Sequence, residues 1–273
     1  MRQMKVSFSR KGFDSKNGGQ PNAILPDGTL LPFPIPSNDG FPNTYESLYY
    51  GEHCFYDIIS SLNTHPQIKA HEVCHLDPDL RRDTKPRLNG WLPAFGQAEQ
   101  SLSELYNNNF GAGDLFLFFG WFKETEIRKG KIIYKRMSPD IHLIYGYLQV
   151  GDIIKSGDLI PDWLLTHPHS KRIISSSTKD AIFLPTEFLS FAQNLPGASM
   201  LRYSPELVLT APGLSRSRWK LPDFFQRDNI KIGHSPRQPK DVSYFQSAPI
   251  GQEMIWETTP EAMTWIRNIC NCR

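Results

Sequence analysis

The sequence predicts an α+β fold: a single domain over residues 1–273, built on a mixed, strongly curved sheet or barrel with flanking helices. Three observations predict it. Apolar runs with β spacing dominate residues 113–154. The 22 prolines and 19 glycines are spread through the chain and cut it into short elements. Strand and helix signals do not alternate regularly, which argues against a doubly wound parallel sheet.

The elements follow in order. Met4 to Ser9 alternates, with Val6 and Phe8 on one face, and reads as an opening strand. Arg10 to Gly19 is a polar loop. Pro26-Asp27-Gly28 between two short apolar runs signals a tight turn, and Pro32, Pro34 and Pro36 restrict the next stretch to an edge. Apolar residues at helical spacing predict a helix over 44–63, weakened at Gly51, and another over 96–107. Leu115 to Phe122 and Ile141 to Val150 are apolar on both faces, as strands buried on both sides are; residues 131–136 are placed to pair with the first. Pro161 to Leu165 reads as a short helix. Residues 181–184, 202–203 and 207–210 read as weaker strands. The start signal Thr259-Pro260-Glu261 falls within a terminal helix expected over 256–269.

Composition excludes several classes. Of the 273 residues 39% are hydrophobic and 21% charged, which is neither disordered nor fibrous. The longest apolar run, Leu115 to Phe119, is far below the ~18 residues of a membrane helix, and the charged start lacks an apolar signal core. The expectation is a soluble, cytoplasmic protein with no membrane partner. Cys54, Cys74, Cys270 and Cys272 have no C-x-x-C spacing, so they read as reduced thiols and a structural zinc is disfavoured. Charge is sorted into blocks. Residues 1–20 set five cations against Asp14 alone, residues 17–68 hold five acids and no Lys or Arg, and residues 123–136 and 211–240 are strongly basic.

Several segments carry a family resemblance: FSRKGFDSKNGG, ILPDGTLLPFPIP, CHLDPDL, GDLFLFFGWF, IHLIYGYLQVGDII, LLTHPH and SRSRWKLPDFF. Together they resemble the nucleotide modification associated domain 3 family over nearly the whole chain. The resemblance implies a bacterial or phage base-modification or defence context and no particular reaction. Residues 111–165 are also similar to PUA, ASCH and EVE domains. That local likeness implies a small base-binding barrel and rests on aromatic strands common to many β folds.

Five groups of residues carry candidate chemistry. Arg10-Lys11-Gly12-Phe13-Asp14, with Gly18 and Gly19 behind it, suits a phosphate: Arg10 bidentate, Lys11 as a point charge, glycines allowing close backbone approach. Asp14 would orient a ribose or act as a base, and Asp27 is a further nucleotide-binding candidate. The ordinary alternative is a solvated turn. His75, Asp77 and Asp79 share a face if the backbone is extended. They could supply acid/base groups, or hold a divalent cation such as Mg²⁺ through Asp77 and Asp79. The alternative makes Asp77 an N-cap, Pro78 the first helical residue and Asp79 a dipole partner. His167-Pro168-His169 places two imidazoles together with no third ligand identifiable, and helix capping is the alternative. Arg216, Arg218, Trp219 and Lys220, with Phe224, Phe225, Arg227, Lys231, Arg237 and Lys240 beyond, suit a nucleic-acid backbone and a stacked base; a basic loop with Trp219 in the core is the alternative. In a base-reading barrel Trp121, Tyr145, Tyr147 and Trp163 would sandwich an extruded base; ordinary core is the alternative for most of them, and Trp163 is the best candidate to be partly exposed.

No G-x-S-x-G elbow and no zinc-deaminase signature occurs. Cys74 beside His75 is a nucleophile only if its pKa is depressed. The resulting expectation is an enzyme acting on a nucleotide or nucleic acid by hydrolysis or group transfer, with Asp14, His75, Asp77 and Asp79 as catalytic groups. The alternatives are a non-catalytic reader of modified bases and a scaffold for a neighbouring modification enzyme.

Overall fold

The computed structural model describes residues 2–38, 42–63, 68–176, 178–225, 231–232, 244–247 and 253–273. An 11-stranded mixed sheet organises the domain. Its main path runs Lys231–Ile232, Glu253–Glu257, Lys5–Arg10, Leu115–Arg128, Ile141–Lys155, Asp180–Pro185, Phe95–Ala98. Lys5–Arg10 is parallel to Leu115–Arg128, as is Asn22–Ile24, while the remaining pairs along the path are antiparallel. The two ends of the path do not pair, so the sheet is open. The barrel expected over 111–165 is therefore corrected: its two long strands are the centre of a wide sheet.

That centre follows from composition. Every residue from Leu115 to Phe122 and from Ile141 to Val150 is buried, because a strand covered on both faces needs apolar side chains on both. Phe116, Phe118, Phe119, Leu143, Ile144 and Tyr145 contribute to the main core, with Leu102 and Leu105 of the Glu99–Asn107 helix and Ile266 and Ile269 of the Pro260–Asn271 helix. A second cluster, including Phe13, Leu31, Phe33 and Tyr45, lies under the Phe55–Leu62 helix. A third includes Leu164, Ile173 and Ile182.

Several element boundaries differ from the sequence expectation. The helix expected over 44–63 is only Phe55–Leu62. Its first half is turn and hairpin, with Tyr45 Oη donating to Pro34 O (2.8 Å) and Gly51 at φ +59°, so the apolar spacing there serves packing of a loop. Residues 253–257 are a strand, and the terminal helix starts at Pro260 with Thr259 Oγ1 accepting from Ala262 N. The segment 96–98 is also strand. No helix begins at Pro78; Asp79 instead makes a backbone bridge with Ala94 in both directions, 2.9 and 3.1 Å. Among the described residues no helix is long and apolar enough to cross a membrane.

Candidate functional site

The Lys5–Arg10 strand ends in the main sheet, and Lys11 N still donates to Phe119 O (2.9 Å). The loop that follows is built around one buried amide. Asn22 Oδ1 accepts from Phe13 N and Phe33 N, and its Nδ2 donates to Trp121 O. Asp14 closes the loop, its Oδ1 accepting from Lys16 N (2.7 Å) and Asn17 N (2.8 Å). Gly18, at φ +84°, lies so close to the Phe13 ring that a Cβ would stand 2.4 Å from it. Gly18 is thus required by packing, and neither it nor Gly19 is among the residues that line the cavity beside this loop.

This loop forms one wall of a cavity of about 570 Å³, which also takes in Ile35 to Asn38, His75, Asp77, Gln97, Ala98, His169 and Arg172. Arg10, Lys11 and Asp14 therefore face His75 and Asp77 across a common space, although about sixty residues separate them in the chain. Gln97 Nε2 donates to the buried Glu253 (2.5 Å), which also accepts from Ser7 and Ser9. Lys11 Nζ sits 4.6 Å from the Phe95 ring centroid.

The floor of the cavity is a knot of imidazoles and carboxylates. His169 Nδ1 contacts Asp180 Oδ1 at 2.6 Å, and its Nε2 lies 3.1 Å from His75 Nε2 and 3.8 Å from Asp77 Oδ2. Asp77 Oδ1 accepts from Gly96 N (2.7 Å) and lies 3.4 Å from His167 Nε2. His75, Asp77 and His169 each offer an atom within 4.8 Å of the others. Burial pushes the His75 imidazole down to about 3, overcoming the pull of Asp77. Burial alone would raise Asp77, but His167, His169 and Lys11 together hold it below the usual carboxylate range. The result is a neutral imidazole beside a charged carboxylate.

The other candidates fall elsewhere. Asp79 is not among the residues that line this cavity and is gripped by Arg87 in a two-pronged pair, Nη1 to Oδ2 2.5 Å and Nη2 to Oδ1 2.7 Å. This buried pair separates Asp79 from His75 and Asp77, with which the sequence groups it. Asp27 folds back on its own turn, accepting from Thr29 N and Oγ1, and does not line this cavity. Trp219 is fully buried, its Nε1 donating to His142 Nδ1 (3.1 Å), so no face is open to a base. Trp121, Tyr145 and Tyr147 are buried as well, and Trp163, half-buried, packs on the third cluster. Arg216 stacks on Trp121 at 4.0 Å and lines a second cavity with Arg10, Lys16 and His142. Arg218 and Lys220 are exposed, and Arg227, Arg237 and Lys240 lie outside the described residues. Cys74 is buried, and burial pushes its thiol up to about 12, opposite to what a nucleophile needs.

Sequence reasoning named His169 only beside His167 and missed its pairing with Asp180, together with Arg172, Gln97 and Glu253. The one available signal was His169 preceding an acid, Asp180, that opens an apolar strand; the contact to His75 crosses 94 positions and leaves no local trace.

No curated protein and no solved structure matched the chain at the significance required. A family model did match, over residues 5–257, and on that extent the chain belongs to the nucleotide modification associated domain 3 family.

Proposed function

We propose that this cavity binds the phosphate of a nucleotide and that the His75–Asp77–His169 group acts on it in hydrolysis or group transfer. The observation that carries the reading is the convergence of Arg10, Lys11 and Arg172 on the same ~570 Å³ space as that group. Three cations from two segments, Arg10 and Lys11 at the end of the first strand and Arg172 far along the chain, make an anion site, and the volume is that of a small-molecule pocket. Positioning and charge stabilisation do most of the work in such reactions. A phosphate held between Lys11 and Arg172 lies next to the His75–Asp77–His169 group.

Arg10 lines both this cavity and the second one, where Lys16 and Arg216 stand. A nucleotide extruded from a polynucleotide would place its neighbouring phosphate there; a free nucleotide would leave it empty. The reader alternative finds less support, since among the described residues no Phe, Tyr or Trp lines the first cavity.

The test is calorimetric titration of the full chain with deoxynucleoside mono-, di- and triphosphates and with a short single-stranded DNA. Binding weakened at least tenfold by Lys11→Ala and Arg172→Ala, and kept by Lys11→Arg, is expected. Binding that ignores both alanine variants overturns the anion grip. Salt sensitivity steeper for the DNA than for free nucleotides would mark the polynucleotide as the substrate.

A further inference from the structure

We propose that His75, Asp77 and His169 hold one divalent first-row transition ion at the floor of the cavity. The inference concerns the site just described and rests on that reading only for the use made of the ion.

The donor atoms are already aimed. The contact with the Asp180 carboxylate fixes the proton on His169 Nδ1, so the Nε2 lone pair faces the cavity. A carboxylate behind a ligating imidazole is the usual second layer of a protein metal site. Asp77 is oriented in the same way: the Gly96 amide takes Oδ1 and Oδ2 is left towards His169. His75 brings its Nε2 to 3.1 Å from that of His169. Two imidazole nitrogens at this separation face each other either across a shared proton or as neighbouring ligands of one cation. The carboxylate oxygen on the third side favours the cation. His169 Nε2 stands 3.1 Å from His75 Nε2 and 3.8 Å from Asp77 Oδ2, near the ~3.3–3.6 Å that tetrahedral ligands ~2.0–2.2 Å from one centre keep from each other.

Space has been cleared for this arrangement. A Cβ on Gly96 would stand 2.0 Å from His169 Cδ2, so the imidazole reaches the cavity only over a glycine. The three donors come from two segments, 75–77 and 169, and the cavity opens on their unoccupied side between Lys11 and Arg172.

The donor set names the class of ion. Two imidazoles and one carboxylate suit zinc, iron(II), manganese or cobalt, whereas magnesium and calcium prefer an all-oxygen shell. This reverses the sequence expectation of a magnesium site on Asp77 and Asp79, because Asp79 is committed to Arg87 and the imidazoles take its place. No thiolate enters the set: Cys74 Sγ lies against Asn43 O. With three protein ligands the coordination is incomplete, as in catalytic metal sites. A phosphate oxygen or water held by Lys11 and Arg172 would fill the open position.

The experiment titrates metal-stripped, full-length protein with Co²⁺ without nucleotide, reading its visible absorption, and then with Zn²⁺ followed by metal analysis. One ion per chain is expected, with Zn²⁺ displacing Co²⁺ and a hundredfold excess of Mg²⁺ failing to do so. Affinity falls at least a hundredfold in His75→Ala and in His169→Ala, and about 10–100-fold in Asp180→Asn, whose carboxylate acts through His169. Thermal melting establishes that each variant is folded. If His169→Ala is not, His75→Ala and Asp77→Asn carry the test, since His75 is only half-buried and Asn keeps the shape of Asp. Wild-type protein that is folded and binds no Co²⁺ overturns the proposal, as does an absorption band unchanged in His75→Ala and Asp77→Asn. Displacement by Mg²⁺ overturns the transition-ion assignment. Nucleotide affinity of Lys11→Ala in metal-free protein is a separate reading, so the ion and the anion grip fail independently.

Discussion

Gly96 and His169 claim the same volume: the position of a Cβ on Gly96 falls 2.0 Å from the His169 ring. The strand Phe95–Ala98 pairs with Asp180–Pro185, which carries the partner of His169. One sheet edge thus sets the ring, the carboxylate behind it and the amide on Asp77.

Gly96→Ala tests this relationship. The added methyl must displace the imidazole, at a cost of about 1–3 kcal/mol of stability for an overpacked site. Expected is a folded protein with a lowered melting temperature and Co²⁺ affinity reduced at least tenfold. An unchanged affinity would mean that the ring position does not matter to the site.

Asp79 and Arg87 are both buried side chains, 9% and 5% exposed. Removing one partner strands the other's charge, which costs about 3–5 kcal/mol. Asp79→Asn is expected to lower unfolding stability by about 3 kcal/mol while nucleotide affinity, measured below the melting transition, stays within twofold. A selective loss of affinity at full stability would return Asp79 to the functional site.

The cysteines sort by burial. Cys74 and Cys270 are buried and Cys54 and Cys272 half-buried. With Cys74 pushed up to about 12 by burial, native protein treated with iodoacetamide at pH 8 should label at Cys54 and Cys272 and not at Cys74 or Cys270. Peptide mapping reads the result. Rapid native labelling of Cys74 would contradict its position.

Glu253 is buried beneath the cavity. Burial raises its carboxyl against the opposing pull of Lys11, Ser9 and Ser7, with Glu104 adding to the rise. A folded-state pKa above the unfolded value means the folded protein holds this proton more tightly. The stability so contributed is present below the unfolded pKa and is lost as pH rises through the folded one. Glu253→Gln removes that dependence. Its melting temperature relative to wild type is expected to climb between pH 4.5 and neutrality; a difference flat with pH would show that Glu253 does not titrate in this range.

Some of this was legible in order along the chain. Strands Leu115–Arg128 and Ile141–Lys155 announce themselves because burial on two faces demands uninterrupted apolar side chains. The Thr259 cap announces its helix because capping is a contact across three residues. The loop Arg10 to Asp14 is recognisable as polar and glycine-bearing for the same local reason. The helix expected over 44–63 failed because apolar spacing records burial, and a packed loop buries side chains as a helix does.

By itself, then, the sequence determined an α+β domain with a central apolar sheet, a basic loop after the first strand, and two short histidine-bearing motifs, each a property of neighbours along the chain. Only the tertiary structure decided that His75 and Asp77 face His169, that Asp79 turns to Arg87, that Trp219 is core and that the sheet stays open. Apart from the Asp79–Arg87 pair, eight residues apart, those outcomes depend on contacts across tens to hundreds of positions, where the identity of one residue places no constraint on its eventual partner until the sheet has brought them together.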